Sequence, residues 1–326
     1  MGKIANAKRI ANEIADSTGL KLNAFQKFGV LLDYMYEQFF YGVRPIEFIQ
    51  FDFYWKKRCD RRRYVCMREY DRIVQVSNKE EDYKFFDDKI LFDKTFSKYL
   101  GRDWLDVMEC AFEEFEQMIR KHDKLFVKPK NGWFGKGAYV LDTHEDTAEN
   151  LFERLKKEQV IVEEVVQQHS EMEAFNPTSV NTLRVVTMLC PDNTVRIPAA
   201  ILRMGREGRV VDNFHFFGIA AAIDVETGIV KTTGVDKTYM RYVKHPDSQK
   251  VIVGFQIPYW EDIVKTVTET AKVVPSVRYV GWDIAIGKDG RVIIIEGNKS
   301  AEPDAEQITE RVGHWPMYEE ILALYK

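Results

Sequence analysis

None of the four cysteines, Cys59, Cys66, Cys110 and Cys190, forms a C-x-x-C spacing with another, which argues against a zinc knuckle and a disulfide scaffold and fits a reducing cytosol. Positive charge is not in excess either. Lys and Arg number 47 against 51 Asp and Glu, a net charge of −4 that gives no general attraction to nucleic acid. Long apolar runs are missing: the N-terminal MGKIANAKRIANEIADSTG alternates charges with small apolar residues and reads as neither a signal peptide nor a membrane span. Asn6 stands where a myristoylation motif after Met1-Gly2 needs Ser or Thr. There is no G-x-S-x-G and no convincing Cys/His pair, so a covalent nucleophile is not expected. Internal repeats and low-complexity linkers are absent too.

What is present is core-forming material, 45 % hydrophobic and 13 % aromatic over 326 residues, enough for about two domains. Up to about Asp88 the pattern is helical and aromatic, with Leu22, Phe25, Phe28, Leu32, Met35, Tyr36 and Phe39 at spacings of three and four. The basic cluster Lys56-Lys57-Arg58 and Arg61-Arg62-Arg63 follows, either a solvated helix end or a contact for an anionic substrate or membrane surface. Beyond Asp88 the pattern changes to short apolar runs interleaved with helical stretches at 103–123, 147–157 and 259–274. This is a mixed α/β pattern of the α+β class, divided as a helical region 1–88, a unit 89–166 and a unit 167–326.

Two segments carry chemistry. In LFVKPKNGWFGKGAYVLD, residues 125–142, Lys128 ends an apolar strand stopped by Pro129, and Gly132, Gly135 and Gly137 follow around Lys136. Glycines let backbone N–H groups approach an anion while the lysine adds a fixed positive charge, a phosphate clamp; a plain hairpin is the alternative. The spacing fits neither the Walker pattern nor G-x-G-x-x-G. In VGWDIAIGKDGRVIIIEGN, residues 280–298, a turn at Asp289-Gly290 between Lys288 and Arg291 predicts that Asp283 faces Glu296, with Asn298 on the same face. Facing carboxylates are destabilising without a cation, and three convergent oxygen-bearing side chains suit Mg²⁺. An acidic solvent-facing edge is the alternative.

The ordered set of a lysine–glycine loop, a V-E-E-V-V segment and a late Asp…Glu-x-Asn hairpin resembles the ATP-grasp superfamily over about residues 85–326. It looks most like the sugar-transfer-associated members, whose N-terminal part is helical. The resemblance implies two α/β subdomains gripping ATP with Mg²⁺. Lys89 and Lys128 are then the phosphate lysines, and the loop from Gly132 to Gly137 closes over the β and γ phosphates. Glu163, Glu164, Val165 and Val166 form the adenine hinge, with Gln167 or Glu171 at the ribose. Asp283, Glu296 and Asn298 become the metal ligands. Arg184 and Arg203, inside apolar strands, need anionic partners: a structural salt bridge on one reading, the phosphates or acyl phosphate on the family's. Asn213 and His215 fall at the active-site rim, with a core position as the other reading for His215. In ligases that join two D-alanines an arginine precedes the metal aspartate, where Trp282 stands here, and Lys299-Ser300-Ala301-Glu302-Pro303-Asp304 replaces their Ser-Pro-Gly. Glu302, Asp304 and Glu306 read as an ammonium-attracting wall or as a solvated loop.

The activity implied is a cytoplasmic carboxylate–amine ligase working through an acyl phosphate on small-molecule carboxylate and amine substrates, some saccharide-linked, in polysaccharide biosynthesis. Nucleic acid is excluded as a partner, a membrane span is not expected, and any membrane contact is peripheral. An ATP-grasp phosphotransferase and a nucleotide-binding protein without catalysis are the alternatives.

Overall fold

A computed structural model describes residues 13, 22–130, 137–208, 212, 214 and 218–325. The α+β class expected from the pattern is realised as two antiparallel sheets flanked by helices. The smaller sheet has the order β1 (Trp104–Asp106), β4 (Val160–Glu164), β2 (Lys124–Pro129), β3 (Tyr139–Asp142). Its inward residues Leu125, Val127, Val160 and Val162 meet Phe115 and Met118 of the helix Phe112–Lys121 and Leu151, Phe152 and Leu155 of the helix Ala148–Glu158. A period of two on the strands and of three to four on the helices thus closes one core.

The helix expected at 103–123 begins late. Trp104–Asp106 pairs with β4 as an edge strand, and the Asp106 carboxylate accepts from the Met108 N–H at 3.0 Å, turning the chain away from the strand. The helix starts only where Glu114 accepts from the Ala111 N–H at 2.8 Å.

The larger sheet has the order β11 (Val292–Asn298), β10 (Tyr279–Ile286), β5 (Thr182–Leu189), β6 (Val195–Met204), β7 (Ile219–Ala222), β8 (Gly234–Val235), β9 (Arg241–Tyr242). Its central strands are apolar almost throughout because both faces are covered. Leu183, Val185, Leu202, Trp282 and Ile284 pack against the helix Trp260–Thr270. On the opposite face Ile201, Ala220 and Ala222 lie under Tyr34, Phe48 and Phe53 of the N-terminal region. Val186 and Met188 on that face lie under Ile73 and the C-terminal helix Trp315–Ala323.

The β10–β11 hairpin departs from the expected two-residue turn. Gly287 N–H donates to the Arg291 carbonyl at 2.9 Å, so the turn is Lys288-Asp289-Gly290, and Ile286, Ala285 and Ile284 pair with Val292, Ile293 and Ile294. The register then shifts between Ile284 and Asp283, leaving Ile295 as a bulge, and Asp283 faces Glu296 after all. The extra turn residue and the bulge cancel, which is why the simple register count found the right pair.

Arg102 fills the bulge. Its guanidinium donates to the Ile294 carbonyl and to the Ile295 carbonyl at 3.5 Å, while Nε and Nη2 fork onto the Glu163 carboxylate at 3.0 and 3.1 Å. Asp93 lies 3.6 Å from Nη2. One buried cation therefore ties β11 of the larger sheet to β4 of the smaller. Gly101 permits the approach: its φ is +64°, and a Cβ there would collide with the Val292 carbonyl.

Replacing Arg102 by Ala removes a partner from two buried carboxylates and is expected to destabilise the protein by about 3–5 kcal/mol. Arg102→Lys keeps the charge without the fork and should recover only part of that loss in urea unfolding.

Candidate active site

The middle of β10 holds the first half of the site. Asp283 has Arg184 of β5 as its cross-strand neighbour on one side and Glu296 of β11 on the other. Arg184 grips it with Nε and with Nη2, the latter at 2.9 Å, and Arg203 Nη1 adds a third contact at 3.2 Å. Gly281 makes room for the grip, because a Cβ there would come within 2.9 Å of Arg184 Cδ and 2.6 Å of Ala301 Cβ. Burial pushes the Asp283 carboxyl up, but Arg184 and Arg203 outweigh it and hold the group well below the usual carboxylate range. Its partner behaves oppositely. Glu296 reaches solvent, yet desolvation by its crowded surroundings, and then the Asp283 charge, push it up. Asn298 Nδ2 donates to Glu296 Oε1 at 3.0 Å and lies 3.5 Å from Asp283 Oδ2.

These three side chains offer a donor set of two carboxylates and an amide, all hard oxygen ligands of the kind Mg²⁺ takes. The two arginines offset Asp283, so Glu296 is the charge that a bound cation would offset. Asn298 presents its amide N–H to the carboxylates; a half-turn of the amide presents Oδ1 instead. The residues fit the ion.

The second half lies on the smaller sheet. Lys128 Nζ sits 2.7 Å from Glu163 Oε2, from β2 to β4. Burial raises the Glu163 carboxyl, but Lys128 and Arg102 outweigh burial and hold it low, while burial and the Glu163 charge push Asp93 up. Lys89 donates to the Pro129 carbonyl at 3.1 Å. Desolvation and then Lys128 lower its pKa, and Glu163 and Glu296 oppose them. Lys89 thus feels groups from both sheets, and two ammonium groups that repel one another are a setting that favours an anion.

The chain after β4 passes from one sheet to the other. Gln167 accepts through its carbonyl from Lys288 N–H at 2.7 Å, and His169 N–H donates to the Ile286 carbonyl at 2.8 Å. Val165 and Val166 lie in this crossing, Glu164 pairs with Arg291 of the hairpin, and the Gln167 and Glu171 side chains are exposed. Gly137 is described; Gly132, Gly135, Lys136, Asn213 and His215 lie outside the described residues. Trp282 is fully buried on the core face and donates through Nε1 to Thr187 Oγ1 at 2.9 Å, so it serves packing.

Three residues escaped the sequence reading. Arg102 and Asp93 lack any motif beyond a charge beside apolar residues. Asp212 accepts from the Thr182 N–H at 2.8 Å and from its hydroxyl, and burial raises its carboxyl while Arg203 lowers it. The acidic wall is not assembled as expected. Glu306 is buried and accepts from Tyr318 Oη at 2.8 Å, whereas Glu302 lies at the surface 3.8 Å from Arg44. Asn78 donates to the Lys299 carbonyl at 2.7 Å and Lys299 Nζ pairs with Asp87 at 2.6 Å, so the N-terminal region fixes the segment after β11.

A raised pKa makes Glu296 contribute stability at low pH that is lost as pH rises through its folded value, whereas Asp283, with a lowered pKa, contributes stability that is lost on acidification. Glu296→Gln removes the first loss. Without metal the variant should melt at or above the wild-type temperature at neutral pH, and the gap should close as the pH falls toward about 4; calorimetry at several pH values reads both trends.

The sequence matches the model of the sugar-transfer associated ATP-grasp family over residues 68–321. No curated protein matches it. Among solved structures it is similar to the ATP-grasp ligase PsnB complexed with a minimal precursor, at 16 % identity and a TM-score of 0.47, with 76 % of this chain and 64 % of that one covered. It is similar to D-alanyl-alanine synthetase A from Vibrio cholerae at 13 % identity, covering 76 % and 68 % with a TM-score of 0.43. N5-carboxyaminoimidazole ribonucleotide synthetase from Thermotoga maritima follows at 10 % identity, covering 78 % and 55 % with a TM-score of 0.45. This chain therefore spans slightly less than two thirds of the PsnB chain. The family match takes in most of the sequence, with Lys89, Lys128, Arg184, Asp283, Glu296 and Asn298 inside it, and the chain belongs to the sugar-transfer associated ATP-grasp family.

Proposed function

We propose that the protein is an ATP-dependent carboxylate–amine ligase. The supporting observation is the pairing of Asp283 with Glu296 beside Asn298, Arg184 and Arg203, with Lys89 in electrostatic reach of Glu296 and of Lys128. In this reading Lys89 and Lys128 hold the α and β phosphates, the loop from Gly132 to Gly137 covers the β and γ phosphates, and Glu163, Glu164, Val165 and Val166 meet adenine. Gln167 or Glu171 takes the ribose, and Asn213 and His215 stand at the rim. Mg²⁺ held by Asp283, Glu296 and Asn298 supplies charge neutralisation to the phosphates when bound. Arg184 and Arg203 stand where they can share their positive charge between Asp283 and the transferred phosphoryl oxygens.

The reaction needs no protein nucleophile. A substrate carboxylate oxygen attacks the γ-phosphorus, the bond to the β,γ-bridging oxygen breaks and ADP leaves. The amine nitrogen then attacks the acyl carbon, phosphate departs with the C–O electron pair, and the nitrogen loses a proton. Positioning and electrostatics carry both steps. The family's association with sugar transfer supports a saccharide-linked carboxylate or amine in cytoplasmic polysaccharide biosynthesis.

Lys128→Ala should weaken ATP binding about ten- to hundredfold, the worth of a charged hydrogen bond, while Arg102 keeps Glu163 paired and the fold intact. Titration calorimetry showing unchanged affinity would place the phosphate role elsewhere.

Reaction type is read by trapping. An acyl phosphate is electrophilic at carbon, so with a panel of carboxylates, ATP and no amine, hydroxylamine is expected to yield a hydroxamate with ADP and phosphate. A phosphorylated sugar inert to hydroxylamine replaces the ligase by a phosphotransferase.

A further inference from the structure

The helix Ala24–Tyr41 has two apolar faces where one is needed for packing. Asn23 caps it, accepting from Gln26 N–H at 2.9 Å, and Gly42 closes it in the left-handed region. Val30 and Tyr34 face inward, in the cluster with Phe48, Phe53, Ala220 and Ala222. The outward face carries Phe25, Phe28, Leu32, Met35, Phe39 and Phe40, of which Phe25 is 85 % and Phe39 82 % exposed. At 100° per residue these fall on an arc of about 140°, and the stripe from Phe25 to Phe39 runs about 21 Å. The only other residues on that arc are Gly29 and Tyr36, so it carries no charge.

An apolar face of this size on a helix end to end calls for an occupant. Its border indicates which. The guanidinium of Arg58 stacks 3.8 Å from the centre of the Tyr36 ring, and that of Arg62 lies over Tyr41. Trp55 is 57 % exposed next to exposed Lys57. Lys56, Lys57, Arg58, Arg62 and Arg63, with Arg61 buried between Asp33 and Glu37, stand against Asp33, Glu37, Asp52, Asp60 and Glu69, so the border is weakly positive although the whole chain is negative. Apolar and aromatic side chains in a stripe with a tryptophan and cations beside it suit the boundary between headgroups and acyl chains of an anionic bilayer. Among the described residues no helix is long and apolar enough to cross a membrane.

We propose that the outer face of the helix Ala24–Tyr41, with Trp55, Lys57 and Arg58 at its border, docks the protein on an anionic membrane surface, the helix lying in the plane of the interface. This surface is separate from the Asp283 site and independent of the reaction performed there.

The experiment is sedimentation of the full chain with phosphatidylcholine vesicles made with and without phosphatidylglycerol. The wild type should pellet with the anionic vesicles, with at least about tenfold preference over neutral ones, and release as salt rises. Phe28→Gln with Phe39→Gln should weaken binding about tenfold or more per residue, and Lys57→Gln with Arg58→Gln about fivefold per charge, each pair keeping the wild-type melting temperature. No binding of the wild type to anionic vesicles at low salt overturns the proposal. So does a vesicle-free dimer that the Phe28/Phe39 pair dissolves while vesicle binding is absent, which makes the face a contact between copies. Binding gained only when residues 1–21 are removed overturns it as well, by assigning the face to that segment.

Discussion

A buried carboxylate without a cation costs several kcal/mol, and this protein buries Asp283 in the larger sheet and Glu163 in the smaller. Asp283 is answered by Arg184 and Arg203, and Glu163 by Lys128 and Arg102. Each cluster sits where strands are otherwise apolar, so the charges are held by their neighbours' charges and not by water. The consequence is a fixed geometry. Neither carboxylate can turn away without stranding two cations, and the polar strip through β5, β6, β10 and β11 is bounded by apolar clusters on the same face.

Arg102 joins the two clusters mechanically. It satisfies backbone carbonyls that the bulge at Ile295 leaves outside the ladder, and it shares Glu163 with Lys128. The bulge that aims Glu296 at Asp283 and the pair that orients Lys128 therefore depend on one side chain. Asp93, pushed toward its neutral form beside them, keeps this buried group from gathering a further negative charge.

The N-terminal helical region has a structural role that its composition suggests only faintly. It covers the same face of the larger sheet that carries Asp283, and through Asn78, Asp87 and Arg44 it holds the segment from Lys299 to Glu302. The same region turns an uncharged aromatic face outward, away from the sheet it covers.

The sequence by itself determined the local chemistry: helix and strand periods, the strand-end Lys128, the glycines after it, and the facing of Asp283 and Glu296. Those follow from alternation, turn residues and side-chain type, which are local and survive small errors of register. The hairpin shows the limit of that reasoning, since a longer turn and a bulge cancelled and neither is visible in VGWDIAIGKDGRVIIIEGN. Tertiary structure alone decided which cation meets which carboxylate. Arg184 and Arg203 were recognisable as needing anions, but only the β10–β5–β6 order brings both to Asp283. Arg102 carried no motif, because its partners lie 61 residues away in Glu163 and 192 away in Ile294, and contacts so distant along the chain are set by packing two sheets together. Glu306 failed as a wall for the same reason: the fold buried it against Tyr318, a partner that spacing does not reveal.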